Sequence, residues 1–219
     1  MVRDFGDIKV GFLSADDVAW FHWAGENRWG TNTFSRRDNS GGLSVDHERI
    51  KDIVTSASNE VDHLIVFMSW GIEYTNKSNS HQQEMAHAII DAGADVIYGT
   101  HPHWIQGFEV YKNKPVFYSL GNFVFDQTHT DPTRQGIVLN ANFYKGRLIN
   151  FEIIPQKACG YHQTTNNLAT KIISGELSYE EVDNFSEREG CVYWQPTPVD
   201  ENSPHYKQSW ERFIEWTTL

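Results

Sequence analysis

The chain has 219 residues, a formal net charge of −11, and 39% hydrophobic and 14% aromatic residues. This length suits one domain with an extension, and this hydrophobic content is sufficient for a buried core. The acidic balance argues against binding to nucleic acid or to an anionic membrane surface, and the chain has no apolar run of about 18 residues that could span a membrane.

The first hundred residues show the periodicities of alternating strands and helices. Such an order implies parallel strands joined by crossover helices, and therefore an α/β arrangement. Ser44 and Ser80 are the predicted N-terminal caps of the two helices, and Gly93 is the predicted end of the second. The predicted elements are a strand over 7–14, a helix over 44–58, a strand over 62–70, a helix over 80–92 and a strand over 95–98.

A long polar segment from Asp16 to Gly42 separates the first strand from the first helix. It carries Trp20, Trp23, Trp29 and Phe34. Loops of this length inside a compact domain are usually functional or disordered, and the aromatic residues favour an ordered loop that packs or lines a cleft.

The second half of the chain predicts short strands joined by hairpin turns over 107–111, 115–120, 136–144 and 147–154. These strands are expected to form a second, largely antiparallel sheet. We predict a domain over 1–156 and a helical extension over 157–219, with an amphipathic helix over 203–217. Cys159 and Cys191 are the only cysteines, and they either form one disulfide or remain two free thiols.

Two histidines stand one residue apart in Gly99-Thr100-His101-Pro102-His103, directly after the predicted strand over 95–98. In an extended segment, side chains at i and i+2 point to the same side, so the two imidazoles can converge on one metal ion or on a pair. Neutral imidazole is the commonest metal ligand among side chains. We interpret both histidines as candidate ligands, and the alternative is two ordinary polar loop residues.

Glu73 follows the predicted strand over 62–70, in Ser69-Trp70-Gly71-Ile72-Glu73-Tyr74. Parallel strands end at one edge of a sheet, where open α/β sheets bind their ligands. Glu73 is therefore expected to face the same cleft as the histidines, as a metal ligand, as an orienting partner of a histidine, or as a general acid or base. The alternative is a solvated loop carboxylate.

The segment from Ser119 to Asp126 is a third cluster. Gly121 permits a tight turn, and Asn122 is suited to hydrogen bonds with backbone groups, which favours a structural role for it. Asp126 is a weaker candidate for the site. The remaining histidines lack ligand spacing and are interpreted as ordinary surface or packed residues: His22, His47, His63, His81, His87, His129, His162 and His205.

Five sequence blocks in a fixed order resemble the CapA family, whose members take part in making the poly-γ-glutamate capsule of bacteria. The resemblance covers residues 7–155 and implies a fold similar to that of calcineurin-like metallophosphoesterases, an α/β (α+β) sandwich of two sheets flanked by helices. The blocks are Trp70-Gly71-Ile72-Glu73-Tyr74, residues 91–97, His101-Pro102-His103, residues 106–111 and the segment from Pro115 to Asp126.

The chain departs from the family pattern in two respects. Family members usually have a histidine that resembles a metal ligand directly before the Trp-Gly block, where this chain has Ser69, and a hydroxyl is a poor ligand by comparison. The N-terminal half of the family, with further ligand motifs, has no counterpart, so the fold is predicted to be incomplete at the N-terminus. The resemblance implies His101, His103 and Glu73 as catalytic residues, His101 and His103 as metal ligands, and Ser69, Trp70 and Asn122 as other residues lining the site.

A dinuclear phosphoesterase site needs about six to eight protein ligands. This chain offers His101 and His103 and, as a further candidate, Glu73, which is too few for a closed site. The isolated chain is therefore predicted to bind Mn, Zn or Fe weakly and to lack full phosphoesterase activity.

Three hypotheses follow from the resemblance. The first is a capsule or envelope-polymer protein with an incomplete metallophosphoesterase-type site, which would be a hydrolase if other residues complete it. The second is a non-catalytic binding or scaffold module, and the third is a peptide-modifying, epimerase-like metalloenzyme.

The resemblance also bears on partners and location. It implies an envelope polymer or a peptide as substrate, with the missing N-terminal half or other capsule-synthesis proteins as partners. Family membership implies the cell envelope or its extracellular side. The residues from Met1 to Gly6 do not form a signal peptide, and without a signal or anchor a cytoplasmic location stays open as the alternative.

Overall fold

The computed structural model describes residues 1–123, 125, 127, 130–144, 147–157 and 197–198. Among them, strands and helices alternate in the first half, and strands follow in the second half. In chain order the elements are β1 (Val2–Phe5), β2 (Ile8–Asp16), a 3-10 turn (Trp20–His22), β3 (Ser35–Arg37), β4 (Leu43–Val45), α1 (His47–Ser58), β5 (His63–Ser69), α2 (Ser80–Asp91), β6 (Val96–Thr100), β7 (Phe108–Tyr111), β8 (Lys114–Phe117), a 3-10 turn (Pro132–Arg134), β9 (Gln135–Tyr144), β10 (Arg147–Lys157) and β11 (Thr197–Pro198).

Six strands form the main sheet in the order β1-β2-β5-β6-β8-β7. The four inner strands β2, β5, β6 and β8 run parallel, whereas the edge strands β1 and β7 pair antiparallel with their neighbours. This topology confirms the predicted β-α-β-α-β order, and the chain is a mixed α/β protein with a mostly parallel sheet.

The main sheet has a different hydrophobic layer on each face. Successive side chains of a strand point to opposite faces, so in β5 Leu64, Val66 and Met68 join the core under the two helices, whereas Ile65 packs in the cluster on the other face. The helices contribute buried apolar side chains at helical spacing to the first core: Ile50 and Val54 from α1, and Met85, Ala86, Ile89 and Ile90 from α2.

The second sheet has the strand order β11-β10-β9 and is antiparallel. Residues of β9 and β10 cover the face of the main sheet opposite the helices, where Ile137, Phe151 and Ile153 pack near Phe117. The prediction that the 107–111 and 115–120 strands belong to this second sheet is wrong, because β7 and β8 extend the main sheet. Val116, next to Phe117, is also buried, and a strand buried on both faces suits the interior of a parallel sheet.

Both N-terminal helix caps differ from the prediction. Asn79 rather than Ser80 caps α2, and its side chain accepts from the Gln82 backbone N–H at 2.9 Å. Asp46 rather than Ser44 caps α1, since its carboxylate accepts from the Arg49 backbone N–H at 3.0 Å. Ser44 instead pairs with Arg36 in the β3–β4 hairpin. The Arg36 guanidinium holds the pKa of Asp46 below its usual value, so the cap is ionised at neutral pH. At the end of α2, Gly93 has a φ of +119°, as expected for a residue just past a helix.

Several predictions concern residues outside the described part of the chain. These are Asp126 as a site candidate, the pairing of Cys159 with Cys191, most of the helical extension over 157–219 and its helix over 203–217. Among the helices that the structure does describe, none is long and apolar enough to cross a membrane.

Candidate functional site

Three parallel strands end side by side at one edge of the main sheet. Asp16 of β2 is in register with Ser69 of β5, and Ser69 is in register with Thr100 of β6. The next residues continue the pairing, because the Asp17 N–H donates to the Ser69 carbonyl at 2.7 Å and the Trp70 N–H donates to the Thr100 carbonyl at 3.2 Å. The predicted site residues therefore follow the carboxyl ends of strands, where ligands of open α/β sheets bind.

The turn after β6 holds both histidines in an uncommon backbone conformation. His101 has a φ of 95° and His103 a φ of 60°, and Tyr74 in the facing turn has a φ of 59°. Left-handed backbone at non-glycine residues costs about 1–3 kcal/mol each and is concentrated at functional sites. The Tyr74 N–H donates to the Pro102 carbonyl at 2.8 Å, so the turn after β5 and the turn after β6 support each other.

The two imidazoles lie close together, with ring centroids 6.0 Å apart. Burial lowers the pKa of His101 below its ordinary value, and the neighbouring His103 lowers it further, whereas Glu73 and Asp16 act in the opposite direction. His101 is consequently neutral at neutral pH, which is the form that binds metal or accepts a proton. The prediction that Glu73 faces the histidines is consistent with this electrostatic interaction, and its side chain lies on an exposed turn.

His103 stacks with two aromatic rings. Its centroid lies 5.9 Å from that of Tyr74 and 5.1 Å from that of Phe125. The His103 Nδ1 lies 2.8 Å from the Asn122 Oδ1, and the Asn122 Nδ2 donates to the Thr133 carbonyl at 2.8 Å. Asn122 thus contacts a site residue while it also bonds the backbone, which is the structural role that the sequence favoured.

Ser69 and Trp70 occupy different positions at this edge. Ser69 is partly buried at the end of β5, in register between the other two strand ends. Trp70 is fully buried, and its indole N–H donates to the Tyr118 carbonyl at 2.8 Å. Trp70 therefore supports the strand ends from within the hydrophobic core between the main sheet and the two helices.

The turn that carries Glu73 is held by two buried amides. The Gln106 side chain donates to the carbonyls of Thr75 and Lys77 at 3.2 and 3.1 Å, and it accepts from the Gln82 side chain at 3.1 Å. Gln82 belongs to the capping box of α2. Gln106 and Gln82 were not among the predicted site residues, although Gln106 lies in a block that resembles the family.

Sequence reasoning also missed a cluster around His81. The His81 Nε2 lies 3.1 Å from the Asp17 Oδ2 and 3.0 Å from the Ser35 hydroxyl oxygen. Asp17 directly follows β2 and Ser35 begins β3, so one imidazole nitrogen contacts both ends of the connection between these two strands. The interpretation of His81 as an ordinary packed residue did not anticipate this role, because its partners are 64 and 46 residues away.

Protonation of His81 is expected to make folding stability depend on pH. The Asp17 carboxylate raises the pKa of His81 above its ordinary value. A raised pKa in the folded state contributes stability that is complete below the unfolded-state pKa and is lost as the pH rises through the folded-state pKa. We expect His81→Gln to lower the free energy of unfolding by up to about 1 kcal/mol at about pH 6, and by less at about pH 9.

Urea denaturation of both proteins at the two pH values measures this difference. His47→Gln is the matched control, because His47 pairs with Glu84 at 2.8 Å but both side chains are more than half exposed. The control should change the free energy little at either pH. A cost of His81→Gln that grows towards high pH would contradict the assignment.

The donors at this edge supply only part of a metal site. His101 and His103 are imidazoles of the kind that bind Zn, Mn or Fe, but even a structural zinc site needs about four ligands. In the part of the chain that the structure describes, no three His, Cys, Asp or Glu side chains are grouped closely enough to hold a metal ion. The described residues therefore supply two ligands of a metal site and not a complete set.

Similarity to known proteins identifies the family. Residues 1–127 match the family model of the bacterial capsule synthesis protein PGA_cap. The PGA biosynthesis protein CapA of Bacillus subtilis (strain 168) is 39% identical over 121 residues, 55% of this chain and 32% of that protein. The capsule biosynthesis protein CapA of Bacillus anthracis is 43% identical over 133 residues, 58% of this chain and 32% of that protein.

The chain spans about a third of the length of these curated relatives. A hypothetical protein from Thermus thermophilus superposes on 72% of this chain and 61% of that chain, with 11% sequence identity and a TM-score of 0.48. The mixed α/β fold class follows from the strand order of the main sheet and not from this superposition. Since the family match covers more than half of the chain, the chain belongs to the bacterial capsule synthesis family PGA_cap.

Proposed function

We propose that this chain takes part in the biosynthesis of a capsule polymer, poly-γ-glutamate, and that the edge carrying His101 and His103 is its functional site. The names of the Bacillus relatives support the process. The observation that carries the site is the pair of histidines in left-handed backbone conformations at the carboxyl end of β6. Strain of this kind persists only where the surrounding structure maintains it, and it is typical of functional sites.

The layers of the fold support a more specific architecture. Helices, a mostly parallel sheet and a second antiparallel sheet are stacked in this order among the described residues. We propose that they form part of a calcineurin-like metallophosphoesterase sandwich, whose remaining elements belong to a longer protein or to a partner chain. In that arrangement, His101 and His103 would contribute two ligands of a divalent metal site, and Glu73 would act beside them.

A bound divalent ion would supply Lewis acidity and an activated water. The residues of this chain would orient the ion through two imidazoles and keep a carboxylate nearby. Because the described donor set fits only part of such a site, no catalytic step is assigned to this chain alone.

Metal analysis of the purified chain tests this proposal. After Mn, Zn or Fe has been offered, we expect weak binding that His101→Ala and His103→Ala reduce further and that His47→Ala does not change. Hydrolysis of a generic phosphodiester is expected to be negligible. Strong turnover that is lost in His101→Ala would overturn the view that this chain holds only part of a site.

A second candidate function is a non-catalytic binding or scaffold module. Two observations favour it, namely Ser69 at the position where the family usually has a histidine, and the lack of a third metal donor among the described residues. Stoichiometric metal would exclude this candidate, whereas no uptake at saturating metal would favour it over the enzyme.

The exposed aromatic rings of the long loop, Trp20, Phe21 and Trp29, suit a third candidate, an epimerase-like enzyme that acts on peptides. Trp29 is fully exposed and available to a bound chain, whereas Trp20 is half exposed and its ring is covered by the Arg37 guanidinium at 3.9 Å. A cell-envelope location remains part of the proposal in every case.

A further inference from the structure

We infer that Asn122 is a positioning residue that selects the Nδ1–H tautomer of His103, so that the Nε2 lone pair points to the ligand. This inference deepens the proposed function and depends on it for the identity of the ligand. It rests on a chain of two hydrogen bonds, each 2.8 Å long, from the Thr133 carbonyl through Asn122 to His103.

The direction of the first bond follows from chemistry. A backbone carbonyl only accepts, so the atom of Asn122 that faces Thr133 must be its NH2 group. The amide oxygen must then face His103, and an amide oxygen also only accepts. The Nδ1 of His103 consequently carries the proton, and in the neutral ring the Nε2 is left with its lone pair.

Burial and the bond to Thr133 favour this orientation of the Asn122 amide. Asn122 is 7% exposed, and Thr133 is fully buried. The Asn122 backbone is held as well, since a Cβ added at Gly136 would lie only 2.0 Å from the Asn122 carbonyl oxygen. Burial leaves the amide little access to water, and a reversed amide would place its oxygen against the Thr133 carbonyl, two acceptors with no proton between them.

The Thr133 carbonyl lies outside the residues that match the family model, which end at 127. It belongs to the 3-10 turn over Pro132–Arg134, immediately before β9. The turn that leads into the second sheet thus fixes the amide that orients His103. Metal-binding histidines usually donate their other N–H to an oxygen in this way, and loss of such a partner typically weakens metal binding by about 10–100-fold.

Nitrogen NMR of the imidazole rings tests the inference without any metal. In 15N-labelled protein at about pH 8, where an unperturbed histidine is neutral, we expect a protonated Nδ1 and an unprotonated Nε2 for His103. His103→Gln identifies the signals by removing them. Asn122→Ala should shift the proton towards Nε2, and Asn122→Asp should restore the Nδ1–H form, because it keeps an acceptor at that position. Asn39→Ala, an exposed Asn-to-Ala control, should change nothing.

An Nε2–H tautomer in the wild-type protein would overturn the inference, whether or not the variants fold. So would an unchanged tautomer in folded Asn122→Ala. Titration with Zn²⁺ gives a second measurement, in which Asn122→Ala is expected to raise the dissociation constant by about 10–100-fold. If the wild-type protein binds no Zn²⁺, the proposed metal site fails, while the tautomer result stands independently.

Discussion

Gly99→Ala is expected to destabilise the protein by about 4 kcal/mol, because β6 leaves no space for a side chain at this position. A Cβ at Gly99 would lie 2.0 Å from the Tyr118 carbonyl oxygen and 2.5 Å from the Trp70 Nε1. Those two atoms are the partners of a buried hydrogen bond of 2.8 Å. The methyl group would therefore separate Trp70 from Tyr118 and push β6 away from the strand beside it.

The consequence extends to the site, since His101 follows Gly99 by two residues. Chemical denaturation measures the loss of stability, and at about 2–4 °C per kcal/mol for a chain of this size the melting temperature should fall by about 8–16 °C. Gly25→Ala is the matched control, because its nearest neighbour would be the Arg28 Cβ at 3.9 Å. The control should stay within about 0.5 kcal/mol of wild type. A Gly99→Ala protein as stable as the control would contradict the close packing of Trp70 on β6.

Local periodicity was sufficient to predict the first half of the fold. The two helices and the strands β2, β5 and β6 all lie within a few residues of their predicted positions, because their buried faces repeat at the period of a helix or a strand. The cap of α1 shows the limit of this reasoning. Ser44 and Asp46 are both good caps, and the choice of Asp46 depends on the β3–β4 hairpin and its Arg36.

The arrangement of the strands in the second half of the chain depends on their tertiary neighbours. The sequence predicts a hairpin over β7 and β8, but it does not specify which sheet the hairpin joins. Its placement follows from the pairing of β8 with β6, in which Val116 is in register with Ile97. The local sequence of β8 cannot indicate that β6 is its neighbour, because the partner of a parallel strand is distant in sequence.

The same distinction applies to the candidate site. His101, His103 and Glu73 were predicted because each follows a strand with a recognisable pattern. Asn122 was predicted to line the site, but its bond to His103 was not, since the two are 19 residues apart, and its partner Thr133 lies 11 residues further along the chain. The supporting contacts are hydrogen bonds between single polar groups, which leave no periodic signal in a sequence. Only the fold brings them together.

Gln106→Leu is expected to cost about 3 kcal/mol and to release the turn that carries Glu73. Leucine is similar in size but makes none of the hydrogen bonds of the buried amide, so the carbonyls of Thr75 and Lys77 and the Gln82 side chain would lose their partner. A buried polar group without a partner costs about 1–3 kcal/mol, and Gln106 is fully buried.

Hydrogen exchange separates loosening of this turn from general instability. In Gln106→Leu, amide protection should fall mainly between residues 71 and 78, and by less in β5 and β6. Gln83→Leu is the matched control on α2, because the Gln83 side chain donates to the Ser78 hydroxyl at 3.2 Å and is only partly buried. If both variants lose the same stability and the turn stays protected, the amide pair does not hold the turn. If protection is lost selectively, Gln106 is what keeps Glu73 beside the histidines, and the effect of Glu73 on the His101 pKa should disappear with it.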